Sequence, residues 1–137
     1  MSVAENRELA IRFINSISSG ARDMSLLADD VTWWVPGRGV LDRETFLTVA
    51  NAFRAVRAGP FKMVVRNVTA EEDRVAVETR GEGPLIDGSI YANDYHFLIR
   101  IEGGKIKEIR EHNNSLIPYL QFGHKLPPMP KLPDPIQ

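Results

Sequence analysis

The sequence predicts an α+β fold in which helices come first and an antiparallel sheet follows. Up to about residue 57 apolar residues recur at helical spacing, and from Phe61 onward they recur at every second position. The connectors between the later runs are short, which suits an antiparallel meander. At the start, Ser2-Val3-Ala4-Glu5 fits a capping box, a hydroxyl followed three residues on by a carboxylate. Leu9, Phe13 and Ile17 then recur every four residues beside Ala10 and Ile14, predicting a helix over about 4–18 that closes at Ser18-Ser19-Gly20. Asp23 is placed to cap a short helix over 24–28, and Val31–Val35, with both tryptophans, reads as a strand ended by Pro36-Gly37. Asp42 caps a further helix over about 43–57 with Phe46, Val49, Ala50, Phe53 and Val56 inward, stopped by Gly59-Pro60.

Four strand-like runs follow at about 61–70, 73–82, 90–101 and 105–114, separated by Glu71-Glu72, residues 83–88 and Gly103-Gly104. The last fourteen residues, HKLPPMPKLPDPIQ, hold five prolines, which fix φ and remove donors. They predict an extended tail, 124–137, beyond a single domain of residues 1–123.

Composition narrows the function classes. A chain of 137 residues, 43% apolar and 26% charged, has the make-up of one globular domain. It lacks an 18-residue apolar run, so no membrane association is expected. Seventeen basic against eighteen acidic side chains leave a net charge of −1, without the basic excess of a nucleic-acid binder. Without cysteine there is no disulfide, Cys-ligated zinc or thiol nucleophile. The three histidines lack ligand spacing, so neither a metal nor another cofactor is expected. The opening MSVAENRELA has no basic-then-apolar leader pattern, giving a cytoplasmic expectation.

Three stretches carry a family resemblance: Leu27-Ala28-Asp29-Asp30-Val31-Thr32-Trp33-Trp34-Val35-Pro36-Gly37, Tyr91-Ala92-Asn93-Asp94-Tyr95, and Gly104-Lys105-Ile106 followed by Arg110-Glu111-His112. In their order and spacing the chain resembles the NTF2-like superfamily over about residues 5–122, and within it the SnoaL-like proteins related to ketosteroid isomerases and polyketide cyclases. The resemblance implies a cystatin-like cone, its strongly curved sheet wrapped on the helices around a blind pocket, and a homodimer through the sheet's outer face. It includes catalysts and plain binding modules alike.

Strand parity selects the residues that can line such a pocket. Tyr91, Asn93, Tyr95, Phe97, Ile99 and Ile101 share one face, which is aromatic and the better interior. Centring the preceding hairpin near Ile86-Asp87 sets Glu78 opposite Tyr95 and Arg80 opposite Asn93. A three-residue turn at Glu102-Gly103-Gly104 then sets Tyr95 opposite Glu111 and Asn93 opposite Asn113. Because Ile106 and Ile109 are three apart, a bulge is expected, and a slip of one would bring His112 and Asn114 inward instead. Val75, Val77, His96 and Leu98 would then lie on the outer, dimer-forming face.

Limonene-epoxide-hydrolase-like members of the superfamily carry an Asp-Arg-Asp set that activates water. Resemblance to that pattern implies an acid-base-acid set of Glu78, Arg80 and Glu111, the first two charges exchanged in position. The carboxylate base of ketosteroid isomerases falls on Trp34, so their mechanism does not carry over. Tyr95 and Asn93 are candidates to hold a substrate oxygen, with Trp34, Asn113 and His112 as further lining. Two readings stay open: a cofactor-independent enzyme (isomerase, cyclase, dehydratase or epoxide-hydrolase-like) acting by acid/base chemistry on a small apolar molecule, or a non-catalytic module that binds one.

Overall fold

The computed structural model describes residues 1–18 and 22–128. Helix α1 spans Val3–Ser18 and buries Asn6, Ala10, Phe13, Ile14 and Ile17, the stripe its spacing dictates. The Ser2 hydroxyl accepts the Glu5 amide at its start. Asp23 does cap, but the helix it starts is a single 3₁₀ turn, Met24–Leu26. The chain straightens at once into β1, Leu27–Val35, earlier than the apolar run alone suggests. A short strand β2, Gly39–Leu41, was not expected. It leads into α2, Arg43–Ala55, capped by the Asp42 carboxylate on the Thr45 amide. Strands β3 (Lys62–Glu71), β4 (Arg74–Pro84), β5 (Ile90–Glu102) and β6 (Lys105–Asn113) form the meander. A third helix α3, Leu116–Phe122, also went unforeseen. Pro118 sits in its first turn, where a missing N–H costs nothing, and a 3₁₀ turn over Gly123–Lys125 comes after it.

The six strands form one curved, unclosed sheet in the order β2-β1-β6-β5-β4-β3. It is mixed rather than wholly antiparallel, because β1 lies parallel to β6, pairing Trp33 with Ile109. Sequence periodicity carries no information on that pairing, which joins segments some 75 residues apart. The helices cover one face, and the core between the layers includes Phe13, Ile14, Phe97, Ile99, Ile106 and Ile109, all essentially inaccessible. Gly81 permits one close approach: a Cβ there would stand 2.5 Å from the Phe61 ring. Among the described residues, no helix is long and apolar enough to cross a membrane.

Register corrects the expected face of β4. Thr79, not Glu78, pairs with Tyr95, and Arg80 pairs with Asp94. Val75 and Val77 therefore point into the core, at 0% exposure, while Glu78 and Arg80 point outward. Apolar burial decides the matter: two valines in the core outweigh two charges that water can solvate. Valine thus belongs to the core and not to a dimer face, whereas His96 and Leu98 do lie outside. The β5–β6 hairpin turns on Gly103-Gly104, both left-handed (φ 59° and 76°), so its loop has two residues rather than three. The register shifts between Arg100 and Ile101, producing the bulge that lets Ile106 and Ile109 both face inward.

From Gly123 the chain runs on against the domain. Leu126 packs against the mouth of a hollow between helices and sheet, and Arg38 donates to the Pro127 and Pro128 carbonyls. The rest of the expected tail, 129–137, lies outside the described residues.

Candidate functional site

A cavity of about 540 Å³ opens between the helices and the concave face of the sheet. Its walls are mainly aromatic and aliphatic: Trp33 from β1, Phe46 and Phe53 from α2, Phe61 before β3, and Tyr95 and Phe97 from β5. Tyr119, Leu120 and Phe122 of α3 complete it, the first two heavily exposed.

Glu111 is the one carboxylate among the described lining residues. Its position results from the bulge, after which Glu111 and Asn113 face inward opposite Phe97 and Tyr95. The Trp33 Nε1 donates to Oε1 at 3.2 Å and the Asn113 Nδ2 donates to Oε2 at 2.9 Å. Burial pushes the carboxyl above its usual range. Arg22 nearby and the two hydrogen bonds pull it back in part.

Beside it lies a buried polar relay on β5. Asn93, 1% exposed, donates to the Tyr91 hydroxyl at 3.0 Å and to the Asn114 carbonyl at 3.0 Å, and accepts from the Asn114 amide at 3.3 Å. The Tyr91 and Tyr95 hydroxyls are 2.5 Å apart. Burial holds the Tyr95 phenol well above its ordinary value, reinforced by Tyr91 and Glu111, so it stays protonated and remains a donor.

The residues expected at this site divide. Glu111, Tyr95 and Asn113 line the cavity, whereas Asn93 does not line it and is committed to the Tyr91 hydroxyl and the Asn114 backbone. Glu78 and Arg80 do not join them. Arg80 pairs with Asp94 at 3.2 Å and Glu82 at 3.5 Å on the outer surface, and Glu78 accepts from Asn67 there. No acid-base-acid set of Glu78, Arg80 and Glu111 exists. Trp34 also points outward, because Trp33 takes the inward position on β1. His112 lies exposed on the outer face, its ring 4.7 Å from that of Trp34. The guanidinium near Glu111 is instead Arg22, just before β1. Nothing marked it in the sequence, since it comes after a Ser-Gly connector with no periodicity to give it a face. Among the described residues no cluster of His, Cys, Asp or Glu could hold a metal ion.

Residues 18–109 match the model of the SnoaL-like domain. The chain belongs to the SnoaL-like family. Solved structures share the fold of this SnoaL-like domain. AclR from Streptomyces galilaeus, a candidate hydroxylase, is 18% identical, with a TM-score of 0.77 over 95% of this chain and 91% of that one. TerC, crystallised with polyporic acid, is 17% identical with a TM-score of 0.70 over 82% of this chain and 93% of its own. An NTF2-like protein from Burkholderia xenovorans LB400 is 21% identical, with a TM-score of 0.65 over 85% and 95%. The SnoaL-like domain is thus NTF2-like in architecture. No curated protein matches its sequence.

Proposed function

We propose that this SnoaL-like chain is a cofactor-independent acid/base enzyme acting on a small, largely apolar molecule, with Glu111 moving the proton. One observation carries this: a carboxylate set in an apolar cavity, oriented by two donors and raised in basicity by burial. The cavity volume is within the range of small-molecule sites, about 300–1,000 Å³. Tyr95, on the cavity wall, would donate to a substrate oxygen as negative charge develops on it. Donation from Asn93 to Tyr91 strengthens the hydroxyl pair in which Tyr95 takes part. Asn113 holds Glu111 in orientation. TerC, of the same fold, was co-crystallised with polyporic acid, which supports an organic ligand here.

The test needs no knowledge of the natural substrate. Nitrobenzisoxazole loses its ring C–H proton to a base as its N–O bond breaks, releasing a coloured cyanophenolate. The wild-type protein is expected to accelerate this above an equal concentration of acetate, and Glu111→Gln to remove the acceleration. Equal rates for wild type and variant sink the assignment of Glu111.

A binding module without turnover is the second reading, favoured by the same apolar lining. It predicts no acceleration and a tightly held small molecule visible by native mass spectrometry of the purified protein. Self-association would rest on the outer-face residues Trp34, Val64 and Leu98, with cytoplasmic residence. Sedimentation equilibrium showing only monomer at micromolar concentration would refute the dimer.

A further inference from the structure

Arg22 lines the cavity, yet the acid/base chemistry leaves it unused. Its guanidinium lies over the Phe46 and Trp33 rings, 5.4 and 5.9 Å from their centroids. Its Nε is buried and has no hydrogen-bond partner. Among the described residues no ion pair joins it to Glu111. That separation is built in, because Trp33 stands between them: its Nε1 donates to Glu111 while its ring meets Arg22. The aromatic rings and the Glu111 charge offset only part of the cost of desolvating this cation, and its Nε is left without an acceptor.

The surroundings add positive rather than negative charge. Arg57 lies over Phe53 and Phe61, at 5.1 and 5.6 Å, and its Nε is likewise buried without a partner. Arg57 and Arg54 both repel Arg22, and Glu111 alone among the carboxylates acting on it attracts it. Arg38, also on the cavity wall, is already engaged with the Pro127 and Pro128 carbonyls. Arg22 and Arg57 thus each carry an unused buried N–H group, and Glu111 is the one carboxylate on the described cavity wall.

We infer that the cavity takes an organic anion, a carboxylate on an apolar aromatic or alkyl skeleton, with the carboxylate seated on Arg22. The skeleton fills the aromatic hollow, and the ligand's charge supplies what the protein omits. A carboxylate is the natural partner because the planar guanidinium offers it paired, charge-assisted donors. The inference rests on the acid/base reading for the role of Glu111 and names the substrate class that reading leaves open.

Calorimetric titration with biphenyl carboxylate and with the uncharged biphenyl carboxamide tests it, since the two share one skeleton. The wild-type protein should bind the carboxylate about 10- to 100-fold more tightly, the span expected for a charged hydrogen-bonded contact. Arg22→Gln should erase that preference, and Arg22→Lys should retain part of it. Glu111→Gln should tighten the carboxylate by removing a like charge. Thermal melting establishes that each variant is folded. Undetectable carboxylate binding, equal affinity for acid and amide, or a preference that survives in Arg22→Gln overturns the inference. The two readings fail separately: equal binding of acid and amide removes the anion site even if the nitrobenzisoxazole assay succeeds. A preference lost in Arg22→Gln upholds it even if that assay shows no role for Glu111.

Discussion

Replacing Asn93 with alanine should loosen the junction where β6 hands over to α3. The side chain is 1% exposed and makes three hydrogen bonds, at 3.0, 3.0 and 3.3 Å, to the Tyr91 hydroxyl and to both backbone groups of Asn114. At about 1 kcal/mol net each, the three sum to about 3 kcal/mol. Asn114 is exposed, so water replaces part of its share, and a loss of about 2–3 kcal/mol is expected. For a domain of this size that lowers the melting temperature by roughly 10 °C. Urea unfolding followed by tryptophan fluorescence measures the loss directly, with an unchanged m-value as the sign that the denatured state is unaffected. Tyr91→Phe in the same background should show coupling of about 0.5 kcal/mol or more, because the two side chains touch. A loss below about 1 kcal/mol for Asn93→Ala, or strict additivity with Tyr91→Phe, would show that this relay does not tie the strands together.

The same geometry sets other outcomes. Burial raises the folded-state value of Glu111, so the folded chain keeps a proton that the unfolded chain releases near pH ~4.3. Stability from this group is therefore present at low pH and is lost as pH rises through the folded value. Glu111→Gln should match wild type in acid and exceed it at neutral pH in urea titrations, and the opposite trend refutes the assignment. Glu78→Gln and Arg80→Gln should leave the nitrobenzisoxazole rate unchanged, since both side chains point away from the cavity. A lost rate in either would restore them to the site.

How far the sequence reveals the site depends on how strongly each strand distinguishes its faces. On β5 the alternation is unambiguous, with Tyr91, Asn93, Tyr95 and Phe97 against Asp94, His96 and Arg100, and every residue falls where parity puts it. β4 offers Val75 and Val77 on one side and Glu78 and Arg80 on the other. An interface on the outer face would admit an inward arginine, but the hairpin pairs Thr79 with Tyr95 and Gly81 with Asn93, which turns Glu78 and Arg80 outward. On β1 two adjacent tryptophans compete for one inward position, and periodicity alone does not choose between them. Arg22 and α3 were illegible for another reason. Each acquires its role from the shape of the cavity, which arises from the parallel β1–β6 pairing and leaves no local trace.

The irregularity in β6 has an evolutionary corollary. Since it is one extra residue that turns Glu111 toward the hollow and His112 toward solvent, the length of this segment acts as a selector between an acid and an imidazole. Losing a single codon near Lys107 would exchange one reagent for the other, but it would also turn Ile109 out of the core and Glu108 and Arg110 into it, so packing protects the choice of acid.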